Sequence, residues 1–175
     1  AIKAYDGFVA RYMGDGMLVY FGYPQAHEND AERASRAGLD IVSAVAALNV
    51  DVGNAHGVTL AVRVGIATGA VVVGDLIGEG AAEEAAVVGE TPNLAARLQG
   101  VAQPNQVLIA DATKRMLGEF FALEDLGSQT LKGIAEPAQV WRVVAERAVE
   151  SRFVATRTAK LVRVVGRDDE IGLLR

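Results

Sequence analysis

The stretch "RYMGDGMLVYFG", residues 11–22, constrains the fold more than any other part of the chain. Two strand-like runs, rich in β-branched and aromatic residues, flank a Gly-Asp-Gly. An Asp-Gly pair in that setting is the strongest short-range hairpin signal, because both residues tolerate positive φ. The spacing predicts an antiparallel hairpin closing at Asp15-Gly16. At its tip Asp15 has two readings: a solvated turn residue, or a carboxylate held out to a hard cation such as magnesium, with substrate phosphates as further ligands.

Downstream of Pro24 and the polar "QAHEND", a helix is signalled from Asn29. Asn29 with Glu32 three residues on resembles a capping box, and Ala34, Ala37, Gly38, Ile41, Val45 and Leu48 recur at helical spacing. "DVGNAHG", residues 51–57, reads as a loop. "VTLAVRVGIATGAVVVGDLIG" reads as two strands turning near Thr68-Gly69. The stretch "EGAAEEAA" then leads to a short strand and a helix in "VVGETPNLAARLQG", with Thr91 as N-cap, Pro92 as first helical residue and Gly100 near its stop. Strand "QVLIA", a small helix from Asp111, strand "FALEDL" and a final hairpin "SQTLKGIAEPAQVWRVV" follow. Strands and helices in this order, without regular βαβ spacing, predict an α+β domain with a mainly antiparallel sheet flanked by helices.

The chain divides near residue 145. Residues 1–145 read as one domain, and its opening "AIKAYDGF" resembles the last turns of a helix. In residues 146–175 Arg and Lys become frequent and "SRFVATRTAK" shows no period, so this segment reads as a linker. With 175 residues and 51% apolar composition a real core is available. A net charge of −5 and the lack of any basic run interleaved with aromatics argue against nucleic acid as a partner. There are no cysteines, which excludes disulfides, thiol catalysis and Cys-ligated zinc. No run approaches the length of a membrane span and no signal peptide is read, so a cytoplasmic location is expected.

Asn93 and Arg97 lie four apart on one face of the predicted helix, where a guanidinium and the helix N-terminus favour an anion or a transferring phosphoryl group. The bland alternatives are a polar first-turn residue and a surface Arg paired with a nearby Glu. Lys132, at the tip of the last hairpin, is either an ordinary exposed Lys or a phosphate ligand. Gly65, Gly69 and Gly74 lack the pattern of a phosphate-binding loop and read as turns and close strand packing.

Four segments, "YMGDGMLVYFG", "VRVGIATGAVVVG", "VVGETPNLAARL" and "LKGIAEPAQVWRV", together resemble the catalytic domain of class III adenylate and guanylate cyclases in order and separation. The resemblance implies a ferredoxin-like cyclase fold. It also implies conversion of a nucleoside triphosphate to a cyclic nucleotide and pyrophosphate by attack of the ribose 3′-hydroxyl on the α-phosphorus. Two metal ions, Mg2+ or Mn2+, would be held by two aspartates, of which Asp15 aligns with the second. Asn93 aligns with the ribose-orienting residue, Arg97 with the transition-state stabiliser and Lys132 with a triphosphate ligand. A head-to-tail homodimer with two shared sites is implied. The last residues, "VVGRDDEIGLLR", resemble the opening of an ATPase module that can follow such domains.

Three departures from the family pattern bear on function. The first metal aspartate belongs on a strand ahead of the residues in hand, and Asp6, at a turn before the hairpin, is no substitute. Cyclase activity of the 175-residue chain is therefore expected to be little or none. At the base-reading positions Arg11 stands where adenylate cyclases usually have Lys, and Ala86 stands where they place an Asp or Thr. Arg11 is a donor, which favours ATP over GTP; Ala86 contributes no hydrogen bond, which predicts poor selectivity. An alternative expectation is a degenerate cyclase domain acting as a nucleotide-binding, dimerisation or regulatory module.

Overall fold

The computed structural model describes residues 1–74 and 86–148. A short 3-10 helix, Ile2–Tyr5, ends at Asp6, whose φ of 53° is left-handed, and leads into the hairpin β1 (Phe8–Met13) and β2 (Gly16–Tyr20). The turn closes one residue earlier than predicted. Met13 pairs with Gly16 around Gly14 and Asp15, and Gly14 alone carries positive φ, at 62°, as a II′ turn requires at its first central position. Asp15 thus occupies the second central position. The ladder slips at Ala10, so that Val9 faces Val19 but Arg11 faces Leu18. Phe8 stacks on Tyr20 at 6.4 Å and meets Tyr23 edge-on at 5.1 Å, fixing the open end of the hairpin.

Helix α1 (Asp30–His56) is longer than the sequence predicts, because residues 51–56 continue it and the expected loop there does not form. Gly53 lowers helix propensity by about 1 kcal/mol without ending the helix; the stop is Gly57, with φ 64°. The predicted apolar stripe is buried at Ala34 and Ala37, while Leu48 is half exposed. At the start of α1, the buried Arg33 joins Asp6 at 2.6 Å and Asp30 at 3.0 Å and also contacts His27. Asp6 is therefore engaged in an ion pair.

The remaining elements are β3 (Arg63–Ile66), β4 (Val72–Gly74), β5 (Ala86–Val88), α2 (Glu90–Val101), β6 (Gln106–Ala110), α3 (Asp111–Leu117), β7 (Phe121–Gln129) and β8 (Ala138–Glu146). Among the described residues the strands form a four-stranded sheet, β3-β6-β8-β7, and two two-stranded sheets, β1-β2 and β4-β5. All pairings are antiparallel except β3 with β6. "FALEDL" and the first limb of the predicted final hairpin are one strand, β7, which carries a register shift between Asp125 and Ser128 around Gly127 at φ 74°.

Strand β6 is buried on both faces, which is why it reads as an unbroken apolar run. Val107 and Ile109 pack with Ala31 of α1, Leu117 of α3, Phe121 and Val143. Leu108 and Ala110 pack on the opposite face with Leu98 of α2, Leu131 and Val140. The architecture is α+β, with a mainly antiparallel sheet between α1 and α3 on one side and α2 on the other. The stretch "EGAAEEAA" up to Ala85 and the linker and ATPase-like residues from 149 onward lie outside the described residues. No helix among the described residues is long and apolar enough to cross a membrane.

Candidate functional site

Helix α2 carries Asn93 and Arg97, and its seat on the sheet is unusually close. A Cβ at Gly65 of β3 would fall 2.2 Å from the Ala95 carbonyl oxygen and 2.4 Å from the Gln99 nitrogen, so the α2 backbone rests directly on that glycine. The helix starts at Glu90, after Gly89, and Thr91 is inside its first turn, which corrects the N-cap predicted for Thr91. The Thr91 hydroxyl instead donates across to the Ala70 carbonyl at 3.3 Å. Pro92 sits among the first residues, whose N–H groups have no partner within the helix, so its missing donor costs no intrahelical bond. Glu90 already complements the positive helix end, which places the anion-attracting charge on Arg97 rather than on the helix terminus.

Asn93 is exposed and Arg97 half-buried on the same face, one turn apart. The Arg97 Nε is buried with no hydrogen-bond partner among the described residues. Its Nη2 would lie 3.8 Å from a Cβ built on Gly133. Gly133 belongs to the turn Leu131–Ile134, closed by an Ile134 N–H to Leu131 carbonyl bond of 3.0 Å, with Gly133 at φ 79°. Positive φ at the third turn residue is the type II signature. Leu131 is only 1% exposed and anchors this turn in the core, so Lys132 is presented to solvent from a fixed base. The fold therefore brings the Arg97 guanidinium beside the turn that carries Lys132, from a distant part of the sequence.

Asp15 and Arg11 lie on the β1-β2 hairpin, and Ala86 opens β5 opposite Gly74. Asp15 is exposed, and no described side chain pairs with it. Arg11 is half-buried beside Tyr20. Burial raises the Tyr20 phenol's pKa and the Arg11 charge acts to lower it. Tyr20 is a neighbour that the sequence reading missed; the shifted ladder makes it diagonal to Arg11, so counting cross-strand pairs with the slip included would have found it. No cluster of three or more His, Cys, Asp or Glu able to hold a metal occurs among the described residues.

Residues 4–144 match the family described as the adenylate and guanylate cyclase catalytic domain. An uncharacterized protein of Rhizobium meliloti (strain 1021) is 36% identical over 155 residues, and adenylate cyclase 1 of the same organism is 29% identical over 161. Each alignment covers 89% of this chain, but only 15% and 24% of those longer proteins. In fold, the adenylyl cyclase CyaB from P. aeruginosa superposes with a TM-score of 0.75 at 29% identity, covering 83% of this chain and 75% of that one. The guanylyl cyclase Cya2 superposes at 0.74 and 30% identity, covering 83% and 74%. A match over most of the chain, on a fold shared with both kinds of enzyme, means that this chain belongs to the adenylate and guanylate cyclase catalytic-domain family.

Proposed function

We propose that the chain is the catalytic domain of an adenylate cyclase, converting ATP to cyclic AMP and pyrophosphate. The observation that carries this reading is Arg97, a guanidinium with a buried unpartnered Nε, set against the turn that presents Lys132. A guanidinium beside a turn that carries a lysine suits the triphosphate and the charge that develops during displacement at phosphorus, a reaction catalysed mainly by positioning and electrostatics. Asn93, exposed one turn along the same face, orients the ribose. Arg11, a donor on the hairpin, favours adenine.

Asp15 fits a hard cation: it offers free carboxylate oxygens to solvent, and Mg2+ or Mn2+ commonly combines one or two carboxylates with substrate phosphates. When bound, the cation supplies Lewis acidity toward the phosphate oxygens. The described residues offer one such carboxylate rather than the pair a two-metal clamp needs. Tyr12, Met13 and Met17, flanking Asp15, are 73%, 50% and 48% exposed, which supports a homodimer that covers them. In that dimer Asp15 of one protomer serves the Asn93 and Arg97 of its partner.

A degenerate, regulatory domain is the second reading, favoured by Ala86, whose methyl group cannot accept a hydrogen bond from a base. The test is cyclic nucleotide formation from ATP and from GTP with manganese. It uses residues 1–175 and the same chain joined to any coding sequence preceding it, with Asp15→Ala and Arg97→Ala as controls. Cyclic AMP from the longer form, lost in both variants, is expected. A folded dimer of the longer form that makes no cyclic nucleotide overturns the enzyme reading in favour of the regulatory one.

A further inference from the structure

The Thr91 side chain lies in the contact between α2 and the chain leaving β3. Its Oγ1 donates to the Ala70 carbonyl at 3.3 Å. A Cβ at Gly69 would come within 2.5 Å of the same oxygen, so Gly69 is bare where the hydroxyl sits. One to two turns of α2 further on, at Ala95 and Gln99, Gly65 leaves the same space for the helix backbone. Helix α2 is thus fixed to the 65–70 segment at two heights. Gly65 sets its depth, and the Thr91 hydroxyl is the polar link next to Asn93.

We infer that Thr91 is a positioning residue: its bond to Ala70, over the bare Gly69, sets the first turn of α2 and so the placement of Asn93 and Arg97. This rests on the cyclase reading for its kinetic consequence but not for its geometry. Thr91 touches neither substrate nor metal in that reading. It acts through the helix.

Three substitutions separate the hydroxyl from its surroundings. Thr91→Val keeps the shape and removes the donor, Thr91→Ser keeps the donor, and Gly69→Ala displaces Oγ1 without changing Thr91. In the longer, active dimer, Thr91→Val and Gly69→Ala are expected to lower kcat about fivefold at nearly unchanged KM, the factor associated with losing one hydrogen bond, while Thr91→Ser retains parental kcat. In a Thr91→Ala background, where the γ atoms are absent, Gly69→Ala adds nothing, because both act on one contact.

Amide hydrogen exchange at Leu94 and Ala95 gives a readout independent of activity. Thr91→Val should speed it about fivefold, as expected for one lost hydrogen bond, and Thr91→Ser should not. If the parent makes no cyclic nucleotide, the cyclase reading fails and exchange alone decides on Thr91. Parental exchange in Thr91→Val overturns the inference, as does a fall in melting temperature with parental kcat and exchange, or a Thr91→Ser variant that behaves like Thr91→Val.

Discussion

The Arg36 guanidinium donates through Nε to a Glu146 carboxylate oxygen at 2.7 Å, joining the first half of α1 to the last residue of β8. It also reaches Glu32 at 3.2 Å and lies over the Phe121 ring at 5.6 Å. Burial acts to lower the Arg36 pKa, but the hydrogen bonds and charges of Glu146 and Glu32 outweigh it and the pKa is raised. Because Glu146 is 47% exposed, solvent screens the pair. Glu146→Gln should therefore lower stability by only about 0.5 kcal/mol. A thermal melt should show a drop of about 2 °C that closes at high salt, whereas a salt-independent drop would contradict an electrostatic origin.

Beside this pair, the Tyr5 hydroxyl donates to Asp40 at 2.9 Å. That hydrogen bond, then burial and the Asp40 charge, raise the phenol's pKa above 10.0, and the Glu146 charge adds to the rise. The folded state thus holds the phenolic proton more tightly than the unfolded chain. The associated stability is complete below pH 10 and is lost as pH climbs through the raised folded value. Asp40→Asn removes the carboxylate charge and weakens the hydrogen bond to an uncharged one. Its melting temperature should fall less steeply above pH 10 than the parent's, and parallel alkaline profiles would show that Tyr5 does not couple to Asp40.

Gly65→Ala places a methyl group within 2.2 Å of the Ala95 carbonyl oxygen, and backbone on both sides leaves no side-chain rotamer to absorb it. Overpacking of this kind costs about 2 kcal/mol. The urea midpoint should fall with an unchanged m value. An undiminished midpoint would mean that α2 is not held against β3.

Leu131→Ala removes the anchor of the turn that carries Lys132. The side chain is 1% exposed and belongs to the cluster with Leu98, Leu108 and Val140, so a loss of about 3 kcal/mol is expected. Denaturant unfolding measures that loss. In the cyclase reading, KM for ATP should also rise in the variant, since Lys132 and Gly133 would no longer be fixed against Arg97.

Much of this architecture is legible in the sequence because local chemistry and tertiary need agree. The hairpin at Asp15 announces itself by alternation and turn residues, and β6 by an unbroken apolar run. Three features were misread where a tertiary contact outranks a local signal. Thr91-Pro92 looks like a helix cap, but the hydroxyl is taken by Ala70 on another element. Residues 51–56 look like a loop because Gly53 and Asn54 disfavour helix, yet α1 continues through them to Gly57. Strand β7 looks like two elements because Gly127 interrupts its pattern, where the ladder only slips. In the site, the Asn93–Arg97 spacing is visible in sequence. The meeting of Arg97 with Gly133, 36 positions later, is set by how α2 and the β7–β8 turn share the Leu98–Leu131 core.

The slip at Ala10 gives one small residue control over parity. A strand assigns its side chains to two faces like odd and even numbers, and the slip inverts the count partway along β1. Arg11 thereby shares a face with Leu18, Tyr20 and Phe8 rather than with Val9 and Val19. Removing Ala10 would make the ladder regular and leave Arg11 opposite Leu18, on the face it already has. A residue added to β2 between Leu18 and Val19, opposite Ala10, would instead even the count and turn Arg11 away from Phe8 and Tyr20 without altering any residue already present.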